Sequence, residues 1–134
     1  MDAIRFYTRT GNTEKLANLL GKQLKLEAKS IETPISQPVD RLYLGGGIYN
    51  MNVDKHLKDY AKNLDPKMVK EVFLFGTSGS LFTVEKQLTK IFDKKGIKVE
   101  KDHLFLHGLM PKLGNINGHQ KEEIDEFAKE TETE

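Results

Sequence analysis

The sequence predicts an α/β domain with a doubly wound, five-stranded parallel sheet, and three observations support this. Short apolar runs that favour β-strands alternate with longer segments in which apolar residues recur every three or four positions. Glycine-containing segments follow the first, third and fourth apolar runs. Alternating strands and helices form a parallel sheet that helices cover on both faces. We therefore expect a three-layer α/β/α domain with strand order 2-1-3-4-5.

Each predicted strand is an apolar run with polar or glycine residues at its two ends. The five strands cover Ile4–Tyr7, Lys29–Ile35, Leu42–Leu44, Val72–Phe75 and Ile97–His107. The fifth strand is expected to bend near Lys101. Arg5 is unusual inside a central strand. We expect its guanidinium to reach an end of the sheet or to pair with an acid.

Helical apolar spacing predicts four helices, at about 13–25, 53–64, 84–95 and 120–129, with Gly96 as the C-cap of the third. Only Ser36–Arg41 separates the second and third strands, which is too short for a helix. Six extended residues reach about 20 Å, so a bare loop can cross the first strand. We expect one domain over residues 1–134, with a frayed tail at 130–134.

Composition narrows the classes of function. The chain has 21 basic and 20 acidic residues and a net charge of +1, and its lysines are spread along the sequence, so we expect no nucleic-acid partner. The absence of cysteine excludes disulfides, Fe–S clusters and thiol catalysis and suits the cytoplasm. The four histidines lack metal-site spacing, and no run predicts a membrane span. We expect a cytoplasmic protein that is a monomer or weak dimer.

Residues Thr8-Arg9-Thr10-Gly11-Asn12-Thr13 lie where the first strand leads into the first helix. Unpaired N–H groups and the helix dipole favour an anion there, and neighbouring hydroxyls can donate further hydrogen bonds. The alternative is that Thr10 or Asn12 only caps the helix. Because a cap needs one such residue rather than several, the segment favours a bound phosphate.

This segment resembles the phosphate loop of the flavodoxins, Thr/Ser-x-Thr-Gly-x-Thr, and the resemblance continues through the two segments that would contact the flavin. It implies non-covalent binding of FMN and extends in element order over nearly the whole chain. The residues that it assigns to the cofactor are Thr8, Arg9, Thr10, Gly11, Asn12 and Thr13 for the phosphate, Gly47, Ile48, Tyr49 and Asn50 in the first flavin segment, and Gly76, Thr77, Ser78, Gly79, Ser80 and Phe82 in the second.

Four residues in the two flavin segments bear on how the ring would be held. By the resemblance, Tyr49 lies where the family often places a flat side chain against the flavin, although an ordinary loop aromatic is an equal alternative. Asn50 stands where many members have glycine. Ser80 stands about where relatives often have an aromatic residue. Phe82 could cover that face, or could pack in the core instead.

The resemblance implies an electron-transfer protein that acts with a redox partner protein or a small-molecule electron acceptor. The near-neutral charge and Ser80 leave open an FMN-dependent oxidoreductase of the quinone or protoporphyrinogen type. A third alternative is an interaction module that keeps the fold without the cofactor.

Overall fold

The computed structural model describes residues 2–7, 12–46, 48–49, 52–53, 55–77, 81–106 and 118–132. Within these ranges the strands are β1 Asp2–Phe6, β2 Ala28–Ser30, β3 Val39–Gly45, β4 Ile48–Tyr49, β5 Asn52–Val53, β6 Val69–Thr77 and β7 Lys98–Leu106. The helices are α1 Asn12–Leu24, α2 Lys55–Asn63, α3 Leu81–Lys95 and α4 Gly118–Glu132.

Five of these strands form one parallel sheet in the order β2-β1-β3-β6-β7. The order corresponds to the predicted 2-1-3-4-5, because the small hairpin of β4 and β5 lies outside this sheet. Helices α1 and α4 pack on one face, and α2 and α3 pack on the other. The predicted doubly wound α/β/α fold is therefore confirmed.

Alternation along the central strands creates two separate cores. Leu42 and Leu44 face α2 and α3, whereas Tyr43, between them, faces α1 and α4. Tyr43 stacks on Phe73 with ring centroids 5.2 Å apart, and Phe127 of α4 meets Tyr43 edge-on at 6.0 Å. Such aromatic pairs contribute about 0.5–1.5 kcal/mol beyond the area that they bury. This cluster attaches α4 to the middle of the sheet.

The C-terminal turn of α4 is held by a buried hydrogen bond. The Tyr43 hydroxyl donates to Thr131 Oγ1 at 2.7 Å, and Thr131 Oγ1 donates to the Phe127 carbonyl at 2.9 Å. Thr131 is fully buried. The sequence predicts that this helix ends at Lys129, but it continues to Glu132 because Thr131 turns inward toward Tyr43.

Two tyrosines give a matched test of buried hydroxyls. Tyr60 Oη is buried and has no hydrogen-bond partner among the described residues, and burial raises the pKa of Tyr60. We expect Tyr43→Phe to lower the free energy of unfolding by about 1 kcal/mol, because it removes a satisfied hydrogen bond. Tyr60→Phe should leave stability unchanged or raise it by up to about 1 kcal/mol. Urea unfolding measures the stability of both variants. A larger loss of stability in Tyr60→Phe than in Tyr43→Phe would contradict the description of the Tyr43 hydroxyl as hydrogen-bonded and the Tyr60 hydroxyl as unpartnered among the described residues.

The connection between β2 and β3 is a bare loop, as predicted, but it covers residues 31–38 rather than Ser36–Arg41, because β2 ends earlier and β3 begins earlier than expected. Arg5, only 8% exposed, lies beneath it. Its Nε donates to the Thr33 carbonyl at 2.9 Å, its Nη2 to the Pro34 carbonyl at 3.3 Å, and its Nη1 to the Ile4 carbonyl at 3.0 Å. The guanidinium thus binds backbone carbonyls, two of them in the loop, rather than the acid that the sequence suggested as one alternative. Ile35 packs against the core from the same loop.

All five strands of the main sheet have bounds that differ from the prediction, and β3 and β6 are longer at both ends than predicted. The second strand ends at Ser30 and not at Ile35, because Ser30 accepts hydrogen bonds from the Glu32 and Thr33 N–H groups and forms a turn. In β7 the pairing with β6 is irregular at the place where a bend is expected, near Lys101. Val72 of β6 is opposite Val99, but Leu74 is opposite His103, so β7 holds two extra residues at this point.

Gly96 is confirmed as the C-cap of α3. Its φ of +78° lies in the left-handed region that glycine adopts without strain. Its N–H donates to the Asp93 carbonyl at 3.2 Å, and the Ile97 N–H donates to the Phe92 carbonyl at 3.0 Å. These bonds satisfy carbonyls at the helix end and turn the chain into β7.

Charged residues form a row across the amino ends of four strands. Asp2, Arg41, Glu71 and Lys98 are aligned in register on β1, β3, β6 and β7. The Arg41 guanidinium lies 3.8 Å from Asp2 Oδ2 and 3.7 Å from Glu71 Oε1, and the Arg41 N–H donates to Asp2 Oδ1 at 3.2 Å. Opposite charges therefore face each other across adjacent strands.

Glu71 makes stability depend on pH. Burial first, and then the hydrogen bond and charge of Glu100, raise the pKa of Glu71 despite the cations Lys98 and Arg41. The folded state thus holds the proton more tightly than the unfolded state. This favours folding below the unfolded pKa and is lost as pH rises through the folded pKa.

We expect Glu71→Gln to raise the free energy of unfolding at pH 7 by less than about 0.5 kcal/mol, the usual size for partly exposed sites. The difference from the unmodified protein should shrink at pH 4. Urea unfolding at both pH values measures it. A variant that is less stable at pH 7 would show that Glu71 matters chiefly as the partner of Arg41.

Candidate functional site

The candidate site lies at the carboxyl edge of the sheet. β1, β3 and β6 are neighbours, and Phe6, Gly45 and Phe75 are aligned near their ends. The segments that follow these strands therefore begin side by side. Ligands of doubly wound folds bind at this edge, where the strand order reverses. The three segments predicted to hold the cofactor start from this place.

The phosphate segment leads directly into α1. The helix starts at Asn12, and the next residue, Thr13, is 3% exposed, so its hydroxyl lies in the packed first turn. The N-terminal N–H groups of a 13-residue helix point to the carboxyl edge, where its dipole favours an anion. This arrangement fits a phosphate group. The predicted contacts of Thr8, Arg9, Thr10 and Gly11 lie outside the described residues.

Two glycines of the first flavin segment are explained by packing. A Cβ at Gly45 would lie 2.8 Å from Cδ2 of Phe75 and would overlap the far side of that ring. A Cβ at Gly46 would overlap Cδ2 of Leu57. The Gly46 N–H donates to the Phe75 carbonyl at 3.2 Å, so the chain stays attached to the sheet beyond β3. Gly47 lies outside the described residues.

The next residues form a hairpin that the sequence interpretation missed. Ile48 is opposite Val53 and Tyr49 is opposite Asn52 in the antiparallel pair β4–β5. The predicted helix from Val53 is therefore wrong at its start, and α2 begins at Lys55. The available signal for such a hairpin is weak, because Ile48, Tyr49 and Val53 favour strands whereas Asn52 does not. Contact of Tyr49 with a flavin stays a prediction, and Asn50 lies outside the described residues.

An aromatic stack joins the residue that precedes the phosphate segment to the helix that follows the first flavin segment. The rings of Tyr7 and His56 lie 4.8 Å apart between centroids, with an interplanar angle of 13°. Tyr7 immediately precedes the phosphate segment, and His56 is in the first turn of α2. The Tyr7 N–H also donates to the Gly45 carbonyl at 3.0 Å. His56, one of the four histidines that lack metal-site spacing, thus connects α2 to the end of β1.

The second flavin segment follows β6. Gly76 is buried and pairs with Phe105 of β7, and the strand ends at Thr77, two residues beyond the predicted end. Phe82 lies in the first turn of α3. Ser78, Gly79 and Ser80 lie outside the described residues, so the roles given to them remain predictions.

The described ranges also bear on metal binding and on insertion into a membrane. There, no group of three or more histidine, aspartate and glutamate residues is arranged to hold a metal ion. None of the helices in these ranges is long and apolar enough to cross a membrane.

No family model and no curated protein matches this sequence. Solved structures do match over nearly its whole length. Oxidised flavodoxin 2 from Bacillus cereus is similar at a TM-score of 0.71 and 18% identity, covering 96% of this chain and 94% of that one. A flavodoxin from the domain Archaea gives 0.68 and 14%, covering 98% and 99%. An NADH:FMN oxidoreductase in its apo form gives 0.67 and 12%, covering 96% and 89%. At these identities the matches establish the flavodoxin-like fold.

Proposed function

We propose that this chain, which has the flavodoxin-like fold, binds FMN without covalent attachment and transfers electrons through it. The observation that carries the proposal is the convergence of three segments at one edge. The carboxyl ends of β1, β3 and β6 are adjacent, and the N-terminus of α1 follows the first of them. A phosphate monoester and a planar ring match, respectively, a helix N-terminus rich in hydroxyls and the two neighbouring segments.

In this proposal the chain binds and orients the cofactor. The hydroxyls of Thr8, Thr10 and Thr13 and the first N–H groups of α1 hold the phosphate, while the backbone at 47–50 and 76–80 borders the ring. FMN supplies one- or two-electron transfer, and the protein sets its position and surroundings. The Tyr7–His56 stack joins the residue before the phosphate segment to the first turn of α2, which follows the first flavin segment.

The first test is the absorbance spectrum of the purified protein, followed by titration with FMN and detection by fluorescence quenching. We expect Thr10→Ala to weaken FMN binding about 5- to 20-fold, since one hydrogen bond to a charged group is worth about 1.5–3 kcal/mol at most and water replaces part of it. Thr89→Ala, about 12 Å along α3 from its start, is the matched control and should leave the affinity unchanged. No flavin and no quenching would overturn the proposal and favour the cofactor-free interaction module.

The alternative function is an FMN-dependent oxidoreductase that turns over a small substrate such as a quinone. The observation that favours it is Ser80, which cannot stack on a flavin and would leave one ring face open to substrate. Steady-state assays with NAD(P)H and quinones distinguish the two functions. Rapid multiple turnovers would favour the enzyme, whereas FMN binding without turnover would favour the electron carrier.

A further inference from the structure

The outer face of α2 and α3 is rich in lysine. The two helices carry seven lysines against three acidic residues. On α3, Lys86, Lys90 and Lys94 recur at intervals of four, so all three lie on one side, and all three are exposed. Successive members of this row are about 6 Å apart along the axis. On α2, Lys55 and Lys62 are likewise exposed. We call these two helices' outer side the lysine face.

The opposite layer has the opposite charge. Helix α4 carries six acidic residues against two lysines, and its Glu122 and Glu126 are exposed. The net charge of +1 therefore conceals a separation of charge between the two faces of the sheet. When positive and negative charges lie on opposite faces, the electric field of the protein orients an approaching partner and raises its association rate. Evenly mixed charges do neither.

The lysine face also has a groove. A cavity of about 260 Å³ lies between α2 and α3, with Ile91 and the aliphatic parts of lysine side chains as its apolar lining. Lys95 Nζ donates to the Lys62 carbonyl at 2.6 Å and so links the two helices across the groove. Cationic groups thus surround a half-buried isoleucine, which suits a partner that combines carboxylates with an apolar side chain.

The lysine face reaches the candidate cofactor site. Lys55 begins α2 two residues after Val53 of the hairpin, and from there the helix carries Lys58 and Lys62 along the same layer. We propose that the lysine face is the docking surface for an acidic protein, and that this protein is the redox partner of the chain. The second part rests on the proposed function, whereas the first does not.

Two observations favour a protein over a polyanion such as nucleic acid. The lysine face contains no arginine, the side chain that binds phosphate with two parallel hydrogen bonds. The 6 Å interval between lysines matches carboxylates at intervals of four on a facing helix, and the groove has room for an apolar residue from the same helix. Duplex DNA and anionic membranes are therefore the competing ligands in the test.

The binding test uses the whole chain with poly-L-glutamate as the probe, in isothermal titration calorimetry at several salt concentrations. We expect Lys90→Glu with Lys94→Glu to weaken binding at least tenfold. Lys121→Glu with Lys129→Glu, on α4, makes the same change in net charge and should weaken it less than threefold. Equal losses in both double variants would overturn the docking surface. Tighter binding of duplex DNA, or of phosphatidylserine vesicles, would also overturn it.

The link to electron transfer is tested on the FMN-loaded protein. After chemical reduction, ferricyanide reoxidises the flavin, and each ferricyanide ion takes one electron to become ferrocyanide. Because ferricyanide is an anion that the lysines attract, the rate of flavin reoxidation should fall as the salt concentration rises. The double substitution Lys55→Glu with Lys58→Glu should abolish or reverse this salt dependence. A salt dependence unchanged by these substitutions would separate the lysine face from the flavin. Failure to bind FMN at all would instead refute the proposed function. The calorimetry would still show whether the lysine face is a docking surface for an acidic protein.

Discussion

Replacing Gly45 with alanine is expected to lower the free energy of unfolding by about 1–3 kcal/mol or more, the range for overpacking a well-filled core. The added Cβ would enter the Phe75 ring, which is fully buried and cannot move into solvent. Gly45 is also the last residue of β3, so a shift of the backbone would disturb its pairing with Phe6 and Phe75. Urea unfolding followed by circular dichroism measures the loss.

A double variant identifies the cause. Phe75→Leu removes the ring that the new methyl group would meet, so Gly45→Ala should cost less in the Phe75→Leu background than alone. Gly96→Ala is the control for loss of glycine itself, because nothing lies within 4 Å of its added Cβ and only the left-handed φ opposes it. If Gly45→Ala costs no more than Gly96→Ala, packing against Phe75 is not the reason for a glycine.

Replacing Arg5 with methionine is expected to lower the free energy of unfolding by about 1.5–3 kcal/mol, the value of hydrogen bonds to a charged group. Methionine fills similar space but cannot donate to the Thr33 and Pro34 carbonyls. The bare loop would lose the two side-chain hydrogen bonds from Arg5 and would keep the backbone bond from the Ile31 N–H to the Phe6 carbonyl of β1. Arg5→Lys keeps the charge without the planar fork, so it should recover only part of the stability.

Hydrogen exchange would show where the effect of Arg5→Met acts. The Ile31 N–H donates to the Phe6 carbonyl and the Thr33 N–H donates to the Ser30 carbonyl, both at 2.9 Å, so these amides report on the crossing loop. We expect their protection to fall more than that of the core strands in Arg5→Met. A uniform fall across the chain would mean that Arg5 stabilises the whole domain rather than this loop.

Much of the fold could be predicted because its rules are local. Apolar periodicity gave each strand and helix of the main sheet, and chain length alone predicted the bare connection before β3. Gly96 was recognised because a glycine after a helix signals a left-handed cap. The position of the candidate site followed from topology, since the carboxyl ends of β1, β3 and β6 meet at one edge.

The features that sequence did not predict depend on contacts distant in the chain. The Tyr43–Thr131 hydrogen bond joins residues 88 positions apart, and without it the last turn of α4 reads as a polar tail. The partners of Arg5 are backbone carbonyls, which every residue has, so no side-chain pattern marks them. The Tyr7–His56 stack pairs a half-buried tyrosine with an exposed histidine 49 positions later in the chain, and only the fold brings them together.

The charged row across the sheet has a consequence for how the chain avoids misfolding. The central strands are nearly continuous apolar runs, so a slip of two residues between neighbours would keep every side chain on its proper face. Such a slip of β6 along β3 would place Arg41 opposite Val69 or Phe73, so that the guanidinium would lose Glu71 and keep Asp2 as its acidic partner in the row. The row thus disfavours wrong registers that hydrophobic burial alone would tolerate. It helps to select the native alignment of β6 on β3 when the sheet forms.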